Sequence, residues 1–245
     1  MITHSSVKPV KILICAMGGE GGGVLMNWIV KAAWAKGYPV QATSVPGVAQ
    51  RTGATTYYIE MLPQNLAPVS PKPVFALIPT SGEVDLLIAT EAAEAVRAAG
   101  NGFISPDRTH LIASTSRTYL MPEKMAMTDG RIDNEKLRII LDKSARKSVL
   151  FDANQAAKEA GAIVNAVMLG AIAATDIIGI ALEDFIKAIK EEGKAVDSNL
   201  AGLEMGYAIA NGVDKLSEYD ASTSSMPKRF SNKDFPEVVQ PVIQH

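Results

Sequence analysis

Apolar residues follow two rhythms along this chain. Short, β-branched runs bounded by glycine or polar residues occupy positions 10–17, 84–89 and 109–114. Runs that stay apolar at consecutive positions predict strands covered on both faces, as in a parallel sheet. Segments 39–45 and 55–61 are rich in Val, Thr and Tyr and predict two more strands. Residues 149–152 predict a short one. Between them the spacing becomes helical. A helix is predicted over 24–36 and stopped by Gly37, another over 91–99, and a third over 133–146 with Leu137, Ile140 and Leu141 on one face. From 153 to 211 the pattern is helical almost throughout, with breaks expected near Gly179, Gly193 and Val196-Asp197-Ser198.

Strands alternating with helices predict an α/β fold: a parallel-rich sheet with helices on both faces, a Rossmann-like variant, and a helical C-terminal third. There is no internal repeat. The stretch 63–79 carries Pro63, Pro68, Pro71, Pro73 and Pro79 and reads as a stiff surface loop. One α/β domain is expected over 1–217, its helical part starting at about 153. Residues 218–245 hold Pro227, Pro236 and Pro241 beside Phe230, Phe235 and Val239. They read either as an extended arm on a partner or as a disordered tail.

Composition narrows the function. The chain has 245 residues, 47% of them hydrophobic and 20% charged, which is a globular balance. Lys and Arg number 24 against 26 Asp and Glu, a net charge of −2. No basic excess marks a nucleic-acid binder. A single cysteine, Cys15, excludes an internal disulfide and a cysteine-only metal site or iron–sulfur cluster held by this chain alone. Within a strand it reads as an inert core thiol. A reducing cytoplasm is the expected compartment, and no targeting signal is evident. The apolar stretch 161–182 is long enough to cross a bilayer. Asn165, Asp176 and its small residues make it read instead as a buried helix, so no membrane role is expected.

Two loops carry the candidate chemistry. Gly18-Gly19-Glu20-Gly21-Gly22 joins the first strand to the first helix, where backbone N–H groups can approach an anion or another backbone closely. The dinucleotide fingerprint would need glycines at the positions of Ala16, Gly18 and Gly21, so its first glycine is missing. Glu20 adds a negative charge where a pyrophosphate would sit, and Thr43 and Ser44 stand where an acid would hold a ribose. There is no Gly-Lys-Ser/Thr either. Ligand contact and tight strand–helix packing therefore both remain open for these glycines. The second loop is Gln50-Arg51-Thr52-Gly53. Arg51 can grip a phosphate or carboxylate with paired hydrogen bonds, or it can form a surface or subunit salt bridge. No self-contained active site is evident. His4, His110 and His245 are scattered, and Glu91 and Glu94 suit a helix N-terminus better than acid–base work.

In order, these segments resemble the gamma-type domain of 2-oxoacid:ferredoxin oxidoreductases. The matching stretches are Ala16-Met17-Gly18-Gly19-Glu20-Gly21, Ala49-Gln50-Arg51-Thr52-Gly53, Asp85 to Ala95, Asn165 to Ala171 and Asn199 to Gly206. Within that family the resemblance is greatest to the beta-subunit branch of the indolepyruvate ferredoxin oxidoreductases. Ala16, Glu20 and Thr52 depart from the family pattern. The resemblance implies a subunit of a complex that oxidatively decarboxylates an aryl pyruvate with coenzyme A and reduces ferredoxin. It implies that thiamine diphosphate, Mg²⁺ and the iron–sulfur clusters belong to a larger partner subunit. It gives the present chain no catalytic or metal-ligating residue of its own. The surface facing coenzyme A or the partner would consist of Gly18, Gly19, Glu20, Gly21, Gly22, Gln50, Arg51, Thr52 and Gly53. The alternatives are a free-standing nucleotide-binding oxidoreductase and a non-catalytic assembly subunit.

Overall fold

The computed structural model describes residues 8–17, 21–45, 54–64, 73–116 and 134–212. The elements run β1 (Val10–Met17), α1 (Gly22–Ala35), β2 (Val40–Val45), β3 (Ala54–Met61), β4 (Leu86–Ala89), α2 (Ala92–Gly100) and β5 (His110–Ser114). There follow α3 (Asn134–Ser144), β6 (Lys147–Phe151), α4 (Ala153–Ala160), α5 (Val164–Ala173), α6 (Leu182–Glu192) and α7 (Val196–Ala210).

The sheet has six strands in the order β2-β3-β1-β4-β5-β6. β1, β4, β5 and β6 pair in parallel, with Ile12 opposite Leu86, Leu86 opposite His110 and His110 opposite Lys147. β3 runs antiparallel to both β1 and β2, with Ile59 opposite Ile12 and Ala42. The α/β class and the helical C-terminal part are as the sequence predicts. The antiparallel insertion of β3 is the departure from a wholly parallel order.

Alternation along the strands sends residues to two cores. Ile12, Ile14, Ile59, Ile88 and Ile112 face α1 and the four C-terminal helices, where Trp28, Leu169, Phe185 and Leu203 are buried. Leu13, Cys15, Tyr58, Leu87 and Leu111 face α2 and α3. Over β2 and β3 that second face is crossed by the segment 73–80. Thr43 Oγ1 donates to the Leu77 carbonyl (2.7 Å), and Ala76 N–H donates to Glu60 Oε2 (2.8 Å). Glu60, buried at 3% exposure, also accepts from the Tyr58 hydroxyl (2.5 Å).

Three expectations need correction. The helical stretch after 153 is four helices, with a break at 161–163. Gly161 closes α4 in the left-handed conformation (φ 63°), which the sequence reading missed. Val196-Asp197-Ser198 is the first turn of α7 rather than a break, and Ala195 at φ 45° starts it. Ile140 does not share the buried face of α3: it is 51% exposed, while Leu137 and Leu141 are buried. The apolar stretch 161–182 contains the buried helix α5, then leaves helix at 174–181, where Asp176 takes φ 50°. Among the described residues no single helix is long and apolar enough to cross a membrane. The expected arm at 218–245 and the domain limit at 217 lie outside the described residues.

Two helices are locked by backbone contact. α5 and α7 cross in parallel so closely that a Cβ on Gly170 would stand 1.9 Å from the Leu203 carbonyl oxygen. A Cβ on Gly202 would stand 2.7 Å from Ala162 Cβ. Gly170 and Gly206 thus set main chain against main chain, and Gly202 makes room for the Ala162 and Ala166 methyls.

Candidate functional site

In an open α/β sheet the chain turns away in opposite directions at one point, and ligands sit there, outside the carboxyl ends of the strands. Here that point lies between β1 and β4. From β1 the chain passes through α1 to β2 and β3 on one side, and β4 begins the march to β6 on the other. Thr90 N–H donates to the Cys15 carbonyl (3.1 Å), holding the end of β4 beside the end of β1. Ala92 N–H donates to the Ser116 carbonyl (3.0 Å), bringing the loop after β5 to the same place. Ser114 Oγ accepts from Ala153 N–H (3.1 Å) and ties in the start of α4.

Gly21 and Gly22 open this region. Gly21 caps α1 at φ 77°, ψ 22°, a conformation that costs a side-chain-bearing residue about 1 kcal/mol or more. Its carbonyl accepts from Val24 N–H (2.7 Å). A Cβ on residue 21 would lie 2.9 Å from Asn165 Nδ2. At residue 22 a Cβ would lie 2.6 Å from Tyr57 Cε2 and 2.9 Å from Ala16 Cβ. Gly22 is thus required by packing of β1, β3 and α1, and Gly21 by its turn and its contact with α5. Gly18, Gly19, Glu20, Gln50, Arg51, Thr52 and Gly53 lie outside the described residues.

The electrostatics at this end are asymmetric. α1 and α5 begin there with no acidic residue in their first turns and no side-chain cap. Their dipoles favour an anion. α2 begins beside them with Glu91 at its N-cap and Glu94 in its first turn. Glu91 is 3% exposed. Glu94 pairs with Arg97 (2.5 Å), and Glu91 makes no side-chain cap bond to the helix. Burial pushes the Cys15 thiol up to about 12, which makes it inert as the sequence predicts. His110, half-buried at the start of β5, is held low by burial and then by Arg146 and Lys147, at the opposite end of the sheet from the glycine turn.

Among the described residues no group of three or more His, Cys, Asp or Glu could hold a metal ion. The lone thiol, buried and protonated, does not fit an iron–sulfur cluster. The cleft between α3 and β6, lined by Ile139, Asp142, Ser148 and Leu150, is three strands from β1. It is not part of this region.

Sequence reasoning missed Asn165, Thr90 and Tyr57 as neighbours of the site. Asn165 carried a signal: it is a lone amide in a helix that is otherwise apolar on every side.

Solved structures share this mixed α/β sheet with its C-terminal helices. The fold is shared with the pyruvate oxidoreductase subunit PORC of Thermotoga maritima, at TM-score 0.55 and 18% identity over 82% of this chain and 96% of that one. It is shared equally with the gamma subunit of a keto/oxoacid ferredoxin oxidoreductase from Geobacter sulfurreducens, at TM-score 0.55 and 20% identity over 83% and 97% of the two chains. A 2-oxoglutarate:ferredoxin oxidoreductase from Magnetococcus marinus, solved with 2-oxoglutarate, coenzyme A and succinyl-CoA, matches at TM-score 0.59 and 18% identity. That match covers 90% of this chain and 34% of the longer one.

The chain belongs to the pyruvate ferredoxin/flavodoxin oxidoreductase family, whose profile matches residues 11–209. Curated relatives include the indolepyruvate oxidoreductase subunit IorB of Thermococcus kodakarensis, 26% identical over 83% of this chain and 97% of the relative. The subunit of the same name from Archaeoglobus fulgidus is 27% identical over 81% and 94%.

Proposed function

We propose that this chain is the subunit without clusters of a 2-oxoacid:ferredoxin oxidoreductase that acts on an aryl pyruvate such as indolepyruvate. It completes the site at which coenzyme A reaches the reacting centre of a larger subunit, and it holds the complex together. Thiamine diphosphate, Mg²⁺ and the iron–sulfur clusters belong to that larger subunit, and ferredoxin takes the electrons. The chain alone is inactive. A reducing cytoplasm suits its protein and its one thiol.

The observation that carries this reading is the meeting of two helix N-termini without acidic first turns or side-chain caps among the described residues, α1 and α5, at Gly21 beside the end of β1. Coenzyme A is a polyanion, and first turns without an acid favour its phosphates over the α2 side with Glu91 and Glu94, Glu20 being the one acid of the glycine loop. Gly18 to Gly22 and Gln50 to Gly53 line the approach in this reading. Arg51 pairs with a coenzyme A phosphate or a partner carboxylate, and its work is electrostatic positioning.

The free-standing nucleotide enzyme is the weaker alternative on geometry. In a dinucleotide fold the second strand lies beside the first and brings its ribose-binding acid to the glycine turn. Here β3 stands between β1 and β2, which puts Thr43 and Ser44 at the far edge. An assembly role has its own support. Val24 (36% exposed) and Ile163 (44% exposed) flank the glycine turn as apolar surface suited to a partner.

The test is Arg51→Ala in the reconstituted complex. The reading expects a higher KM for coenzyme A or weaker subunit affinity, with this chain folded as before. Wild-type kinetics together with wild-type assembly would contradict it. Unchanged kinetics for both Arg51→Ala and Gly21→Ala in a complex that forms normally would favour the pure assembly subunit.

A further inference from the structure

We propose that Asn165 is a positioning residue for the glycine turn, the link through which the α5–α7 helix pair sets the start of α1. This rests on the reading that the turn faces coenzyme A.

Three observations carry the proposal. Asn165 is 1% exposed in a helix whose neighbours Ala166, Val167, Met168 and Leu169 are all buried and apolar. A primary amide in such a setting is costly unless its polarity is used. Its Nδ2 stands 2.9 Å from where a Cβ of residue 21 would be, so the amide fills the space a side chain on the turn would need. Finally, the helix that carries it cannot shift independently of α7. A Cβ on Gly206 would lie 1.8 Å from the Val167 carbonyl oxygen, two residues beyond Asn165.

The Gly21 carbonyl accepts from Val24 N–H (2.7 Å) and so begins α1. A side chain packed against Gly21 constrains the start of α1 without touching the ligand. Displacements of about 1 Å at such a place cost up to about a hundredfold in rate. Asn165 is therefore a positioning residue and not a catalytic one.

The experiment uses the complete complex carrying this full chain with Asn165→Ala, and with Val167→Ala as a packing control. The KM for coenzyme A, the KM for the 2-oxoacid, kcat and the thermal midpoint are read for each. The proposal expects Asn165→Ala to raise the coenzyme A KM about tenfold while the 2-oxoacid KM stays within about twofold. Val167→Ala removes buried methyl groups, lowers the midpoint and leaves the coenzyme A KM unchanged. Asn165→Asp keeps the side-chain shape but loses the amide donors, and it gives the same reading should the alanine variant not assemble. An unchanged coenzyme A KM in the Asn165 variants, with Arg51→Ala raising it, overturns the proposal and leaves the functional reading standing. If no variant, Arg51→Ala included, moves that KM, both fall. An equal rise in Val167→Ala reduces Asn165 to packing and overturns the proposal.

Discussion

Gly206 lies against Val167 so closely that a Cβ on it would stand 1.8 Å from the Val167 carbonyl oxygen and 3.1 Å from Ala171 N. Those atoms are main chain and cannot swing aside. The crossing of α5 and α7, and through it the back wall of the glycine turn, depends on this absence of a side chain.

Gly206→Ala should therefore separate two helices rather than rotate one side chain. A loss of at least about 3 kcal/mol is expected, at the upper end of overpacking costs. Urea unfolding of the purified chain measures it. A variant within about 0.5 kcal/mol of wild type would contradict the close crossing.

Gly22 gives a second, coupled test. Alanine there meets Tyr57 Cε2 at 2.6 Å and Ala16 Cβ at 2.9 Å. Gly22→Ala is expected to cost about 1–3 kcal/mol. In a Tyr57→Val background the ring is gone and the cost should fall by about 1 kcal/mol. Strict additivity of the two changes in denaturant unfolding would show that the ring is not what excludes the side chain.

Glu204 makes stability depend on pH. Its carboxyl, ordinarily near 4.5, is pushed up to about 7 by burial, with Leu200 and Ala208 buried one turn to either side. The folded state thus holds this proton more tightly than the unfolded chain does. Its contribution is complete below about pH 4.5 and is lost as pH rises through about 7. Tenfold in proton affinity is about 1.4 kcal/mol, so roughly 1–3 kcal/mol disappears over that window after allowing for partial exposure. Glu204→Gln should remove the loss. Its melting temperature should exceed that of wild type at pH 8, with the gap closing toward pH 5. Parallel pH profiles for the two proteins would refute this.

Thr109 tests the other end of the sheet. Fully buried, its hydroxyl donates to the Val84 carbonyl (2.9 Å) and accepts from Ser105 N–H (2.9 Å), fixing the turn before β5. Thr109→Val keeps the shape and strands both backbone groups, for an expected loss of about 1–3 kcal/mol. An unchanged unfolding midpoint would mean that water replaces the hydroxyl.

The strands were legible because apolar runs such as Ile12-Leu13-Ile14 and Leu86-Leu87-Ile88 need cover on both faces, and both cores exist. The direction of β3 was not, because its Tyr57-Tyr58-Ile59 pattern is the same whichever way the strand runs. The break after α4 was hidden by good helix formers on both sides of Gly161. Asp176 and Ala195 take positive φ without being glycine, so no residue type announced them. At the site, the glycines marked the turn. What they pack against was not visible, since Tyr57 and Asn165 meet them only through tertiary structure. Glu60 is similar: alternation placed an acid in β3, but its partners come from Tyr58 and from the segment crossing the sheet.

The central claim is that this chain works as part of a larger thiamine- and cluster-bearing assembly. Its most direct test is isolation of the protein from its own host, with native mass, iron and thiamine content, and coenzyme-A-dependent oxidation of aryl pyruvates measured on the same sample. The account predicts co-isolation with a larger brown chain and activity that disappears when this subunit is left out of reconstitution. A colourless protein that runs alone and binds a nicotinamide or flavin nucleotide saturably would contradict it.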